Sequence, residues 1–346
     1  MAELKSQPEL PEEEKLKQLA EKMREAEYKG LSEEEIKEKE RQKEEKRNNN
    51  IRILNDTLNI LEKGNYIKDG KEIKLKFSAE QMMKTRVFLP EDIEKLRFNS
   101  DKTGNSAENS KKQAQNIRRL FSCENTDALV LAQKKYEDLK NKGETDPKIL
   151  VLNLASASTP GGHTRKGASA QEEDLCRRTS LLLSLESEKA KKYYDYNNAR
   201  KTRMGSDGVM FTPYVEVIKA SSSETLAEPF TVSVISCAAP MVRLGLEGMS
   251  QTEYAAMLSR RIEGILLTAA SQNCRYLILG AFGCGVYGND AALVSDLFYR
   301  TILNFTYCGK TADCLFDSIE FAVLCRPDKD YNYRKFYALF KNAVKP

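Results

Sequence analysis

An apolar run, Ile149 to Leu154, passes into a loop holding Pro160, Gly161 and Gly162, and then into a polar segment opening on Gln171-Glu172-Glu173. The run is short and branched enough for a buried strand, and the glycines mark a loop. Leu175, Leu181, Leu182 and Leu185 supply an apolar stripe that holds the following helix down. A buried strand feeding a helix through a glycine loop constrains the chain to a layered α/β architecture. It also sets two adjacent carboxyls beside a loop whose backbone N–H groups can approach an anion, an arrangement suited to proton chemistry on a bound phosphate ester. Either half alone is weak, since Gly-Gly is commonly a turn and Glu-Glu at a helix start complements the helix dipole.

A second loop of the same kind strengthens the reading. Tyr276 to Leu279 has the pattern of a buried strand, Ala292 to Phe305 that of a helix, and between them lies Gly280-Ala281-Phe282-Gly283-Cys284-Gly285-Val286-Tyr287-Gly288-Asn289-Asp290. Open α/β sheets gather ligands at such strand ends, and helix starts receive phosphates. Tyr287 among the glycines is placed to stack on a sugar or base. Two such loops point to a diphosphate held between them, and neither carries the Gly-Lys-Ser/Thr ending of a P-loop kinase.

Charge and pattern divide the rest. Residues 1–50 hold 12 of the 55 basic and 15 of the 51 acidic residues, so this segment is net acidic and the remainder net basic. So charged a segment buries little, which makes residues 1–48 a helical or disordered extension. Leu16, Leu19, Met23 and Ala26 have helical spacing, Gly30 is a stop, and Ser32 with Glu35 forms a capping box for a restart. Residues 49–110 read as a mostly helical accessory segment. Ile51, Leu54, Leu58 and Leu61 are helical to Gly64, Ile73 to Phe77 resembles a strand, a helix opens at Leu89-Pro90-Glu91-Asp92, and Asn99 to Ser110 is an exposed loop. Residues 111–346 alternate as an α/β domain. Asp127 or Thr126 caps a helix through Leu139, Tyr193 to Asp207 is polar and irregular, Val209 to Phe211 and Thr231 to Ser236 are strands, and Glu253 to Ala270 is a helix.

With one histidine, His163, and eight cysteines lacking a Cys-x-x-Cys pair, neither a zinc site nor a disulfide framework is expected, and most thiols should be core residues. No apolar stretch is long enough to span a membrane and no secretory signal is visible, which predicts an intracellular protein in the cytoplasm or nucleus.

Asn153-Leu154-Ala155-Ser156, Pro160-Gly161-Gly162 and Gln171-Glu172-Glu173 together resemble the signature of the microbial-type poly(ADP-ribose) glycohydrolases, in which glycines, a spacer and Gln-Glu-Glu recur. Here seven residues, Thr164 to Ala170, form the spacer, and Gly280 to Asn289 is similar to the family's second phosphate-binding loop. The likeness extends over roughly residues 45 to 346. It implies a macrodomain-like three-layer α/β/α sandwich with a mixed sheet, and hydrolysis of ribose–ribose O-glycosidic bonds from the ends of poly(ADP-ribose) to release ADP-ribose. In that likeness Glu173 is the general acid and base, and Glu172 holds the terminal ribose. Gly161, Gly162, Gly283, Gly285 and Val286 offer main-chain donors to the diphosphate, and Tyr287 packs on the nucleotide. Asn153 and Ser156 line the strand end, and Gln171, Cys284 and Gly288 complete the candidate contacts. The chemistry itself requires only an acid for the departing oxygen of an oxocarbenium-like reaction, so no metal or cofactor is expected. Partners are poly(ADP-ribose) or ADP-ribosylated proteins, with no membrane or direct nucleic-acid contact.

One position departs from the family pattern: its third glycine is His163 here. If that backbone needs positive φ, the histidine strains it by about 1 kcal/mol or more. Either the side chain points outward and is tolerated, or the histidine touches a phosphate. Two alternatives remain open from sequence, a non-catalytic ADP-ribose-binding module and a hydrolase of single ADP-ribose units on protein.

Overall fold

The computed structural model describes residues 12–98, 110–221 and 224–341. The expected loop at 99–110 lies outside them save for Ser110. Helices α1 (Glu12–Tyr28) and α2 (Glu33–Lys63) lead into a hairpin of β1 (Asn65–Lys68) and β2 (Lys71–Lys74), then α3 (Ala79–Met82), β3 (Arg86–Phe88), α4 (Pro90–Phe98) and α5 (Ser110–Arg118). The α/β body continues through β4 (Phe121–Glu124), α6 (Ala128–Asn141), β5 (Ile149–Leu154), α7 (Gln171–Arg178), α8 (Leu181–Leu185), α9 (Glu188–Ala199), β6 (Val209–Lys219) and β7 (Thr225–Cys237). It closes with α10 (Gln251–Ser271), β8 (Tyr276–Leu279), α11 (Ala291–Asn304), β9 (Thr306–Tyr307), β10 (Lys310–Thr311), α12 (Ala312–Leu315), β11 (Ser318–Ala322) and α13 (Tyr331–Phe340).

Seven strands form one mixed sheet in the order β3-β6-β7-β5-β8-β11-β4. β7, β5, β8, β11 and β4 run parallel, while β6 and β3 are antiparallel additions at one edge. Alternation along β5 divides the core. Leu150 and Leu152 join the helices α10, α11 and α13 on one face, and Ile149 and Val151 join α6, α7, α8 and α9 on the other. Side chains alternate across a strand, so both faces of an apolar strand need cover, and the result is the three-layer macrodomain-like sandwich. The register decides where the site lies. Ile149, Leu150 and Val151 of β5 pair in parallel with Tyr276, Leu277 and Ile278 of β8, so the two glycine loops leave neighbouring strands at the same end.

Several local signals act as read. Ser32 and Ser250 make full capping boxes with Glu35 and Glu253, Asp127 caps α6, and Gly64 ends α2 in a left-handed conformation. Each such N-cap contributes about 1 kcal/mol. Other segments differ. α2 continues through residue 48, so the change of composition there is not a break in the backbone: its outer half is solvated, and from Asn50 onward Ile53, Leu54, Thr57, Ile60 and Leu61 are buried. The strand expected at Ile73 to Phe77 is instead β2, shifted earlier by pairing with β1 around Asp69-Gly70. The stretch expected to be irregular from Tyr193 contains most of α9, which is capped by Ser187 and buries Ala190, Tyr193, Tyr194 and Asn197 at helical spacing. β6 and β7 are far longer than the short strands expected, because they pair with each other well past the core.

Candidate active site

Glu172 and Glu173 sit in the first turn of α7 and both are buried, at 3% and 7% exposure. Gln171 fixes that turn to the strand. Its Nε2 donates to the Leu152 carbonyl and its Oε1 accepts from the Leu154 N–H, both at 2.8 Å, so the amide acts as an extra rung on β5. Both ends of the amide are thus tied to β5, and this positions the carboxyls. Glu172 accepts from Asn153 Nδ2 at 3.2 Å and from the Ser156 N–H at 2.8 Å. Burial pushes its carboxyl up to about 8, the two hydrogen bonds opposing that rise and the neighbouring Glu173 charge adding to it.

Glu173 differs in one respect. Its Oε1 accepts from the His163 N–H at 3.0 Å, while its Oε2 is buried with no hydrogen-bond partner among the described residues. A buried carboxyl oxygen without a partner costs free energy, and such groups gather where a ligand completes them. Asn153 Oδ1 and the Tyr194 hydroxyl are in the same condition.

Gly162 brings the first loop onto the two acids. Its φ is +58°, and a Cβ there would lie 2.5 Å from Glu173 Oε1 and 3.0 Å from Glu172 Oε2. Only glycine lets the backbone pass between the two carboxyls. His163 follows at φ −104°, an ordinary conformation, and its side chain is exposed. The strain considered for a non-glycine residue there is therefore absent, because the left-handed positions are Gly161, Gly162 and Gly167. Farther along, Gly167 lies so close to α2 that any side chain would collide with the Arg47 carbonyl, and Asn50 Nδ2 donates to the Gly167 carbonyl at 2.8 Å.

The second loop meets the first directly. The Tyr287 phenol lies beside Ser156 and the two carboxyls, and burial pushes it up to about 12. Gly285 and Val286 are exposed, Val286 at 69%. Cys284 is half-buried, its thiol donating to the Phe282 carbonyl at 3.6 Å, and Gly288 packs against Arg243. Arg243 grips the loop from behind: Nε donates to the Val286 carbonyl and Nη2 to the Gly285 carbonyl, each at 2.8 Å. Asn289 adds a second brace, donating to the Gly283 and Pro240 carbonyls at 2.9 and 2.8 Å and accepting from the Tyr254 hydroxyl at 2.7 Å. The Cys284, Gly288 and Asn289 amides bond within the loop, so the amides suited to a ligand are those of Gly283, Gly285 and Val286. Sequence reading missed Arg243, Asn50 and Tyr254 because no local pattern marks a side chain whose partner is a distant carbonyl.

Residues 54–220 match the family described as microbial-type PARG, catalytic domain. This segment is similar to the microbial-type poly(ADP-ribose) glycohydrolases. Among solved structures the chain resembles poly(ADP-ribose) glycohydrolase from Thermomonospora curvata, at 27% identity and a TM-score of 0.68, over 84% of this chain and 99% of that one. The same enzyme bound to the inhibitor ADP-HPD gives 26% identity, a TM-score of 0.67 and coverage of 84% and 98%. Poly(ADP-ribose) glycohydrolase from Deinococcus radiodurans in complex with ADP-ribose matches at 28% identity and a TM-score of 0.61, over 79% of this chain and 100% of that one. No curated protein matches the chain. No helix among the described residues is long and apolar enough to cross a membrane.

Proposed function

We propose that this protein hydrolyses the ribose–ribose O-glycosidic bonds of poly(ADP-ribose), releasing ADP-ribose, with Glu173 as the residue that moves the proton. The observation that carries the assignment of roles is the free Oε2 of Glu173, buried beside loops suited to a diphosphate. Glu172, bound by Asn153 and Ser156 and holding its proton to about pH 8, is suited to donate a hydrogen bond to a ribose hydroxyl.

In this scheme the Glu173 carboxyl gives its proton to the departing 2′-oxygen as the bond from that oxygen to the anomeric carbon breaks. Positive charge develops on the sugar beside the diphosphate. Water then adds to the anomeric carbon, and its proton returns to the Glu173 carboxylate, which restores the acid. General acid catalysis of this kind contributes about 10²–10⁴-fold. Gly161, Gly283, Gly285 and Val286 supply main-chain donors, the Gly162 N–H being taken by the Thr159 carbonyl at 3.0 Å, and Tyr287 packs against the nucleotide. ADP-ribosylated proteins are the natural carriers of such a polymer, and attack at its ends fits loops that close around a terminal unit.

A module that only binds ADP-ribose gains nothing from a second buried, incompletely bonded carboxyl, which favours the enzyme. Digestion of end-labelled poly(ADP-ribose) tests the scheme. ADP-ribose as the early product supports it, and either no release or long internal fragments contradicts it.

A further inference from the structure

Helix α1 meets α2 through ionic contacts. Arg24 pairs with Glu40 at 2.6 Å and Lys43 with Glu27 at 2.7 Å. The Tyr28 ring lies between them, 4.9 Å from the Lys43 ammonium and 5.8 Å from the Arg24 guanidinium. From this contact α1 reaches back to the body, where Met23 Sδ meets Arg243 Nη1 at 3.9 Å. One turn along α2 from Lys43, the Arg47 carbonyl rests on Gly167. α1 and α2 therefore touch both ends of the site: the close of the first glycine loop, and the arginine that braces the second.

Beside α1 is an open groove of about 1160 Å³, lined by Arg24, Lys43, Arg47 and, from the turn before α13, Lys329, together with Glu27, Glu40 and Glu44. That is ample for a nucleotide-sized ligand. Three of its four cations pair with glutamates of the same two helices, Glu44 lying 3.9 Å from Arg47. Exposed pairs of this kind hold weakly, and a polyanion exchanges counter-ions readily. On α1, Met23 is 48% exposed and Ala26 is exposed.

We propose that the groove beside α1 is a second anion subsite, taking the diphosphate of the ADP-ribose unit adjoining the one bound for cleavage, whose phosphates replace Glu27 and Glu40 as partners of Lys43 and Arg24. The proposal rests on the polymer being the substrate. It makes the acidic face of α1 a stand-in for the polymer's own charge, so that long chains are held at both sites and a single ADP-ribose at one.

The test uses the full chain and two double variants, Arg24→Ala with Lys43→Ala, and Glu27→Gln with Glu40→Gln. Thermal melts check folding, and two quantities are read: KM for long poly(ADP-ribose), and calorimetric affinity for free ADP-ribose. Removing the cations should raise the polymer KM about tenfold, and removing the competing glutamates should lower it severalfold, both with unchanged ADP-ribose affinity. The differences should shrink at high salt, as screening requires. Polymer KM values unaltered in both variants, or ADP-ribose affinity shifting by the same factor, would overturn the subsite. Absence of any release by the native protein would instead sink the enzymatic reading, and direct polymer binding by the same three proteins would still decide the subsite.

Discussion

The phenol of Tyr287, on the loop after β8, lies beside Ser156, on the loop after β5. Two turns more than a hundred residues apart in sequence thereby line one cleft, and the Ser156 N–H holds Glu172 at its floor. This proximity sets the anion-binding half of the site against its acid half. Predictions follow from how each half is fixed.

Gly162→Ala should disable the enzyme while Gly70→Ala should not. Both positions have positive φ, so both substitutions carry about 1 kcal/mol or more of backbone strain. At Gly70 the added methyl meets nothing within 4 Å, whereas at Gly162 it lands 2.5 Å from Glu173 Oε1. Turnover should fall at least about 100-fold in the first and stay near native in the second, since loss of the positioned acid forfeits its contribution. Equal activity in steady-state assays would show that the loop does not set the carboxyl.

Glu172→Gln should stabilise the protein, and more so at alkaline pH. The Glu172 carboxyl ionises near 4.5 when unfolded and at about 8 when folded. Between those values the unfolded chain sheds a proton that the folded chain keeps, so native stability falls as pH rises through that window and levels off above it. The full penalty is of order a few kcal/mol. Thermal melts at pH 5 and pH 8.5 measure it: the variant's gain in Tm over native should be clearly larger at pH 8.5. A constant gain would mean that burial does not hold the proton on Glu172.

His163→Gly should slightly destabilise the fold and leave the pH dependence of hydrolysis unaltered. With φ at −104° and an exposed side chain, glycine relieves no strain and adds freedom to the unfolded chain, costing about 0.5–1 kcal/mol. A changed pH–rate profile would instead indicate a phosphate contact by the imidazole.

Much of this arrangement was legible before the structure. The Ile149 to Leu154 run, the two glycine loops and the Gln-Glu-Glu helix start are local patterns, and each falls where its spacing places it because strand burial, turn conformation and helix start are decided within a few residues. The capping boxes at Ser32 and Ser250 are local in the same sense. What was not legible depends on partners far away. Gln171 shows as a tie to the strand only when β5 is seen to take both ends of its amide. The length of β6 and β7 is set by their mutual pairing and not by composition. The left-handed positions of the first loop include Gly167, which no glycine count singles out until α2 is found packed on it.

Arg243→Ala should weaken ADP-ribose binding about tenfold with little effect on stability. Its guanidinium fixes the Gly285 and Val286 carbonyls, and losing two charge-assisted bonds lets the loop's amides wander, at a cost near 1.4 kcal/mol of binding. Calorimetric titration with ADP-ribose reads this directly, and native affinity in the variant would show that the brace is dispensable.

The most direct measurement compares native protein with Glu173→Gln on labelled poly(ADP-ribose), following both ADP-ribose release and affinity for ADP-ribose. The buried, unpartnered Oε2 predicts turnover reduced at least about 100-fold with affinity retained, because the amide keeps the shape and loses the transferable proton. Near-native turnover in Glu173→Gln would contradict the assignment of the acid and, with it, the account of how this cleft works.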